Sequence, residues 1–107
     1  MIYTMEELTQ KIAPIARKYD IPAVYIFGSY ARNEATENSD VDVLIQRKGS
    51  KIVGWMIGAL YEDLSECLGK ELDLITTETL EQENTKERTP WLIDNLLKER
   101  RLIYAKQ

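Results

Sequence analysis

Three carboxylates and a glycine–serine pair are the residues whose types and spacing could do chemistry in this chain. Asp40 and Asp42 stand two apart in Ser39-Asp40-Val41-Asp42-Val43-Leu44-Ile45. In a strand, residues two apart face the same side, so the two carboxylates lie together while Val41, Val43 and Ile45 turn to a core. Adjacent ionised carboxylates repel each other unless a cation sits between them. Oxygen-only ligands suit Mg²⁺ or Mn²⁺. The segment Glu71-Leu72-Asp73-Leu74-Ile75-Thr76 repeats the pattern, with Glu71, Asp73 and Ile75 on one face and Leu72 and Leu74 on the other. If that strand neighbours the first, Asp73 completes a three-carboxylate cluster. Such a cluster can hold two metal ions about 4 Å apart, which suits in-line phosphoryl transfer.

Gly28 and Ser29 supply the complementary half. Glycine after a buried strand lets backbone approach a ligand closely. A helix starting at Ser29 aims free N–H groups and its positive end at a phosphate, and the Ser29 hydroxyl adds a donor. Each piece alone has a plainer reading: Gly28-Ser29 as a strand-to-helix turn, Ser39-Asp40 as a cap, Asp73 as a solvated strand residue. The combination points to a nucleotide site.

Composition narrows the chemistry further. The chain has no histidine, which excludes Ser-His-Asp and Cys-His nucleophilic sites and histidine-bound zinc. Cys67 is the single cysteine, without a metal-binding spacing, so it reads as a packing or surface residue in a reducing cytoplasm. A net charge of −4 disfavours broad nucleic-acid binding. No apolar run approaches the roughly 20 residues of a membrane span, and the N-terminus does not read as a secretion signal. At 107 residues, one domain over positions 1–107 is expected, small enough that assembly with copies of itself or with a partner is plausible.

The elements that must position these residues follow from periodicity. Thr4 and Glu7 form a capping-box pattern, followed by Leu8, Ile12, Ile15, Ala16 and Tyr19 on one helical face. Pro14 predicts a kink or break near Gln10 to Ala13. Ile21–Phe27 reads as a buried strand, Ser29 to about Ala35 as a short helix or turn, and Val41–Ile45 as a second strand. Lys48-Gly49-Ser50 is a loop. From Val53 to Leu68, Ile57, Leu60, Tyr61, Leu64 and Leu68 mark an amphipathic helix capped by Gly69. Glu71–Thr76 is a third strand, and residues 77–86 a short helix or loop. Thr89-Pro90 opens a last helix with Ile93, Leu96 and Leu97 inward, and Leu102-Ile103-Tyr104 a final strand. Trp55 and Trp91 read as partly buried core. The Lys98-Glu99-Arg100-Arg101 run places cations at a helix C-terminus. The class is α/β or α+β, a small mixed sheet flanked by helices.

The run Phe27-Gly28-Ser29-Tyr30-Ala31-Arg32, followed by Ser39-Asp40-Val41-Asp42 and later by Asp73, resembles the signature of minimal nucleotidyltransferases in the DNA polymerase β superfamily. The resemblance is specific from Val24 to Ile45, good around Asp73 and weaker near Arg101–Tyr104. One position departs: Asn33 stands where the family usually has glycine after Ala-Arg. Asparagine tolerates positive φ better than other non-glycine residues, so the turn is expected to survive.

The resemblance implies a palm-like sheet, ATP as substrate with Mg²⁺, and nucleotidyl transfer. Asp40, Asp42 and Asp73 would be catalytic and metal-binding, and Gly28 and Ser29 nucleotide-binding. Arg32 would touch phosphate or brace the turn by pairing with a carboxylate. Small proteins of this kind are commonly antitoxins whose partner is a HEPN-domain RNase toxin, neutralised by AMP placed on a hydroxyl, expected to be a tyrosine's. The alternatives are an antitoxin that only masks its toxin, and a small-molecule nucleotidyltransferase.

Overall fold

Residues 2–78 and 98–106 are described in the computed structural model. Its elements run α1 (Met5–Lys18), β1 (Ala23–Phe27), α2 (Gly28–Ala31), β2 (Val41–Ile45), α3 (Met56–Leu68), β3 (Leu72–Thr76) and β4 (Arg101–Ala105). The capping box at the start of α1 forms as its sequence implies. The Glu7 N–H donates to Thr4 Oγ1 at 3.0 Å, and the Thr4 N–H donates to Glu7 Oε1 at 2.9 Å. Two donors that a helix start leaves without intrahelical partners are thereby satisfied.

Of the kink or break expected near Gln10 to Ala13, a break does not occur; α1 runs continuously through Pro14. Proline lacks the N–H that would reach the Gln10 carbonyl. Burial of Leu8, Ile12 and Ala16 holds the helix together across that gap. Beside the proline, the Cys67 thiol of α3 donates to the Lys11 carbonyl at 3.4 Å. Two further bonds tie α1 and its N-terminal approach to α3: Tyr3 Oη donates to the Leu68 carbonyl at 2.6 Å, and Tyr19 Oη to Asp63 Oδ2 at 2.6 Å. The Asp63 contact, helped by burial, pushes the Tyr19 phenol up to about 12.

The four strands lie in the order β3-β2-β1-β4. β1 pairs antiparallel with β2 and with β4, whereas β2 and β3 are parallel, joined through α3. A parallel pair needs such a crossover, and the thirteen residues of α3 supply it. Val24, Ile26, Val41, Val43, Ile45 and Leu72 face the helices and pack with Leu8, Ile12, Ala16, Leu60, Leu64 and Leu68 into the main core. Phe27 and Leu44, with Tyr25 and Ile75 against them, form a smaller cluster. By strand alternation that cluster shares its face with Asp42 and Asp73. The carboxylates thus sit on the side of the sheet away from α1 and α3.

Several expected boundaries shift for physical reasons. β1 begins at Ala23 because Pro22 cannot donate to a ladder. α2 ends at Ala31, with Asn33 in the left-handed region. α3 starts at Met56, because Gly54 takes a φ of 43°. Val53 and Trp55 therefore stay outside the core, Trp55 being 80% exposed rather than partly buried. Tyr61 is also exposed, on the rim of the α3 apolar face. Gly69 caps α3 in the left-handed conformation, its N–H reaching the Ser65 carbonyl at 2.8 Å. The final strand is present, and Lys98 and Glu99 are helical just before it. Thr77 and Glu78 are helical too, while the rest of the 77–86 segment, the Thr89-Pro90 helix start and Trp91 lie outside the described residues.

Candidate active site

The antiparallel register between β1 and β2 sets Phe27 opposite Asp42, which brings Gly28 to the Asp42 side chain. Gly28 has a φ of 70°, a conformation that L side chains resist. A Cβ at Gly28 would also run into the Asp42 carboxylate, lying 3.0 Å from Cγ and closer still to Oδ2. Glycine is required here on both counts. The helical turn it opens carries Ser29 as its next residue. Ser29 is half-buried, and its hydroxyl has no hydrogen-bond partner among the described residues.

Parallel pairing aligns Asp42 with Asp73 across β2 and β3. The neighbouring strand that Asp73 required is therefore present. The two carboxyls face each other closely enough to share a proton. The Asp42 carboxyl is pushed up to about 6, first by burial, then by that contact and the Asp73 charge, then by the charge of Asp40; Arg32 opposes the rise. Asp40 immediately precedes β2, whose bounds are those expected, and it is exposed, so it acts on Asp42 through charge. Among the described residues, no three acidic, histidine or cysteine side chains are gathered tightly enough to enclose an ion.

Arg32 pairs with two carboxylates. Its Nη1 donates to Glu99 Oε2 at 3.1 Å and its Nε to Glu34 Oε2 at 3.3 Å. These contacts, led by Glu99, hold its guanidinium above its ordinary range. Glu34 and Glu99 had not been singled out in the sequence. Glu99 could not have been, because 67 positions separate it from Arg32 and no local pattern connects them. Asn33 adopts a φ of 60°, so it occupies the left-handed position that a glycine would take. The Glu34 N–H then closes the turn on the Ser29 carbonyl at 2.9 Å.

An acidic pair with one half-buried member, beside a glycine–serine helix start, is the geometry of phosphoryl-transfer sites, with anion-seeking N–H groups next to metal-seeking carboxylates. The family model described as polymerase beta, nucleotidyltransferase matches residues 10–107. The chain belongs to the polymerase β nucleotidyltransferase family. Among relatives of this nucleotidyltransferase, a candidate protein adenylyltransferase of Methanocaldococcus jannaschii is 38% identical over 95 residues, covering 89% of this chain and 92% of that one. The protein adenylyltransferase MntA of Thermococcus cleftensis is 33% identical over 81 residues, covering 72% of this chain and 81% of its own.

Solved structures share the fold. A toxin–antitoxin structure with AMP-PNP superposes with a TM-score of 0.64 at 20% identity, over 92% of this chain and 74% of the other. The complex of a tri-AMPylated Shewanella oneidensis HEPN toxin with its MNT antitoxin gives 0.61 at 16%, over 97% and 75%. Among the described residues of this nucleotidyltransferase, no helix is long and apolar enough to cross a membrane.

Proposed function

We propose that this nucleotidyltransferase is the antitoxin of a two-component system in the cytoplasm, and that it moves AMP from ATP onto a tyrosine hydroxyl of a HEPN-type RNase toxin. The observation that carries the reading is the Asp42–Asp73 register pair, set against the Gly28–Ser29 turn. The names of the relatives at 38% and 33% identity support the adenylyl group and a protein acceptor.

The all-oxygen donor set fits a hard divalent cation. Two carboxyls pressed together, one of them titrating near 6, are relieved when a cation rather than a proton lies between them. Asp42 and Asp73 would hold Mg²⁺, with Asp40 completing the set. Bound there, the metal would neutralise charge on the phosphates and on the departing pyrophosphate. The turn's N–H groups and the Ser29 hydroxyl orient the terminal phosphates, and Gly28 permits their approach. Arg32, held by Glu34 and Glu99, keeps the turn in place. The acceptor oxygen attacks the α-phosphorus in line, the bond from the α-phosphorus to the bridging oxygen breaks, and pyrophosphate leaves. Asp73, on the face open to solvent, takes the hydroxyl proton.

The test uses ATP labelled at the α-phosphate, Mg²⁺ and the product of the neighbouring gene. Label is expected on the toxin with the native chain and absent with Asp42→Ala. Tight inhibition of the toxin without any label transfer would replace this reading with simple masking.

A further inference from the structure

Five large apolar side chains stand exposed among the described residues, and three of them, Val53, Trp55 and Tyr61, crowd around the start of α3. Trp55 is the extreme case at 80% exposed. Scattered single apolar residues need no explanation, but a local concentration of them marks a contact surface. Trp55 already has helical backbone angles, and the Gly58 N–H donates to its carbonyl at 3.1 Å. Trp55, Gly58, Glu62 and Glu66, with Tyr61 at the rim, therefore share the side of α3 that faces away from buried Leu60, Leu64 and Leu68.

Gly58, between the two aromatic residues, is not required by the chain's own fold. Its φ lies outside the left-handed region, and a Cβ there would meet nothing within 4 Å. Glycine also weakens a helix relative to alanine. What it does offer is close approach by a second helix, whose distance is set by the side chains at the crossing. Charge is divided along the same element. Glu62 and Glu66 lie on the C-terminal half of α3, whereas Lys48 and Lys51 lie in the approach to its start. All four are exposed, and none forms an ion pair among the described residues. Asp20, already paired with Lys106, feels Lys51 only through charge.

We infer that the outer face of α3 is a two-fold interface between two copies of this chain, whose α3 helices pack antiparallel and cross at Gly58. In such a pair, a residue some places after Gly58 meets the residue as many places before it in the other copy. Trp55 and Tyr61 stand three places to either side, so each copy's tryptophan meets the other's tyrosine. The same operation lays the acidic half of each α3 along the lysine-bearing approach of the other. A parallel pair would set acid against acid, so charge selects the antiparallel sense. A partner of unrelated sequence would need neither the even spacing about one glycine nor the opposite charges at the two ends; a second copy uses both. One helix face and its approach make a small interface, so the dissociation constant is expected to be on the order of 10 µM. Because α3 covers the sheet face away from Asp42, both nucleotide sites stay open in the dimer.

Sedimentation of the full chain alone, without nucleotide or metal, is followed from about 1 µM to about 300 µM, a range that brackets the expected constant. The 12.4 kDa chain should move toward twice that mass as concentration rises. Trp55→Ala should weaken the dimer at least about tenfold, as loss of an aromatic anchor does. Gly58→Gln places a side chain where the single copy leaves open space, so at low concentration it should melt no lower than the native chain, yet stay monomeric. Glu62→Lys with Glu66→Lys should also weaken the dimer, and adding Lys48→Glu and Lys51→Glu to that chain should restore it. A monomer at every concentration would overturn the inference, as would a dimer that survives Trp55→Ala or Gly58→Gln. Failure of the full charge exchange to restore association would overturn the antiparallel sense. A chain that stays monomeric, but whose Trp55→Ala variant no longer binds the product of the neighbouring gene, would overturn the second copy and give the face to that protein.

Discussion

Asp42 is half-buried with Asp73 against it, and its carboxyl titrates near 6. The folded chain therefore keeps a proton that the unfolded chain releases between about pH 4 and pH 6. Where the folded state binds more protons, stability falls as pH rises. The penalty is absent below pH 4, grows through that window and stays constant above it. In metal-free protein, Asp42→Asn is expected to raise stability at pH 7.5 by about 1 kcal/mol after allowance for partial exposure, with the gain vanishing near pH 4. Chemical denaturation of both proteins across that range checks the sign. The same replacement should abolish transfer. Gly28→Ala tests the neighbouring residue. A methyl group at a φ of 70° and in collision with Asp42 is expected to cost about 1–3 kcal/mol and to remove activity. A fully active, equally stable Gly28→Ala would show that the turn does not need its close approach.

At the scale of elements, α1 shows how local signals and tertiary packing divide the work. Thr4→Ala should destabilise the protein by about 1 kcal/mol, because the Glu7 N–H loses its acceptor, Thr4 Oγ1, while the reciprocal bond from the Thr4 N–H remains. Pro14 is exposed on the same helix. Pro14→Ala restores a helical hydrogen bond against a gain in unfolded-chain freedom, and should raise stability by about 1–2 kcal/mol. Urea unfolding of the two variants separates these opposite effects. What periodicity could reveal, it did: the capping box, the Gly69 cap and the strand from Val41 to Ile45 are each dictated by neighbours within a few residues. Errors arose where distant packing decides. Pro14 looked like a break because the burial of Ile12 and Ala16 against other elements has no local signature. Trp55 looked partly buried because apolar spacing does not reveal that α3 starts late, after the turn at Gly54, and Tyr61 looked inward although it lies on the rim of the apolar face.

In the molecule as a whole, the site depends on one topological fact. β2 and β3 are adjacent and parallel, so Asp42 and Asp73 meet although 31 positions separate them in the sequence. Alternation along each strand put both on one face, but only the sheet order β3-β2-β1-β4 could join the faces. Asp73 was therefore legible as a candidate and not as a contact. The Arg32–Glu99 brace was not legible, because it depends on the approach to β4 returning beside α2. The site is shared between both ends of the chain and the crossover at its middle, so its activity should be lost in any variant that separates β2 from β3. The most direct test of protein adenylylation is the intact mass of the HEPN partner after co-expression with this chain. The native chain should add one or more adenylyl groups to a tyrosine, while Asp42→Asn and Asp73→Asn chains, folded and still bound, should leave the toxin's mass unchanged. Addition of the same mass by both variants, or an unmodified toxin that the native chain silences, would contradict the account.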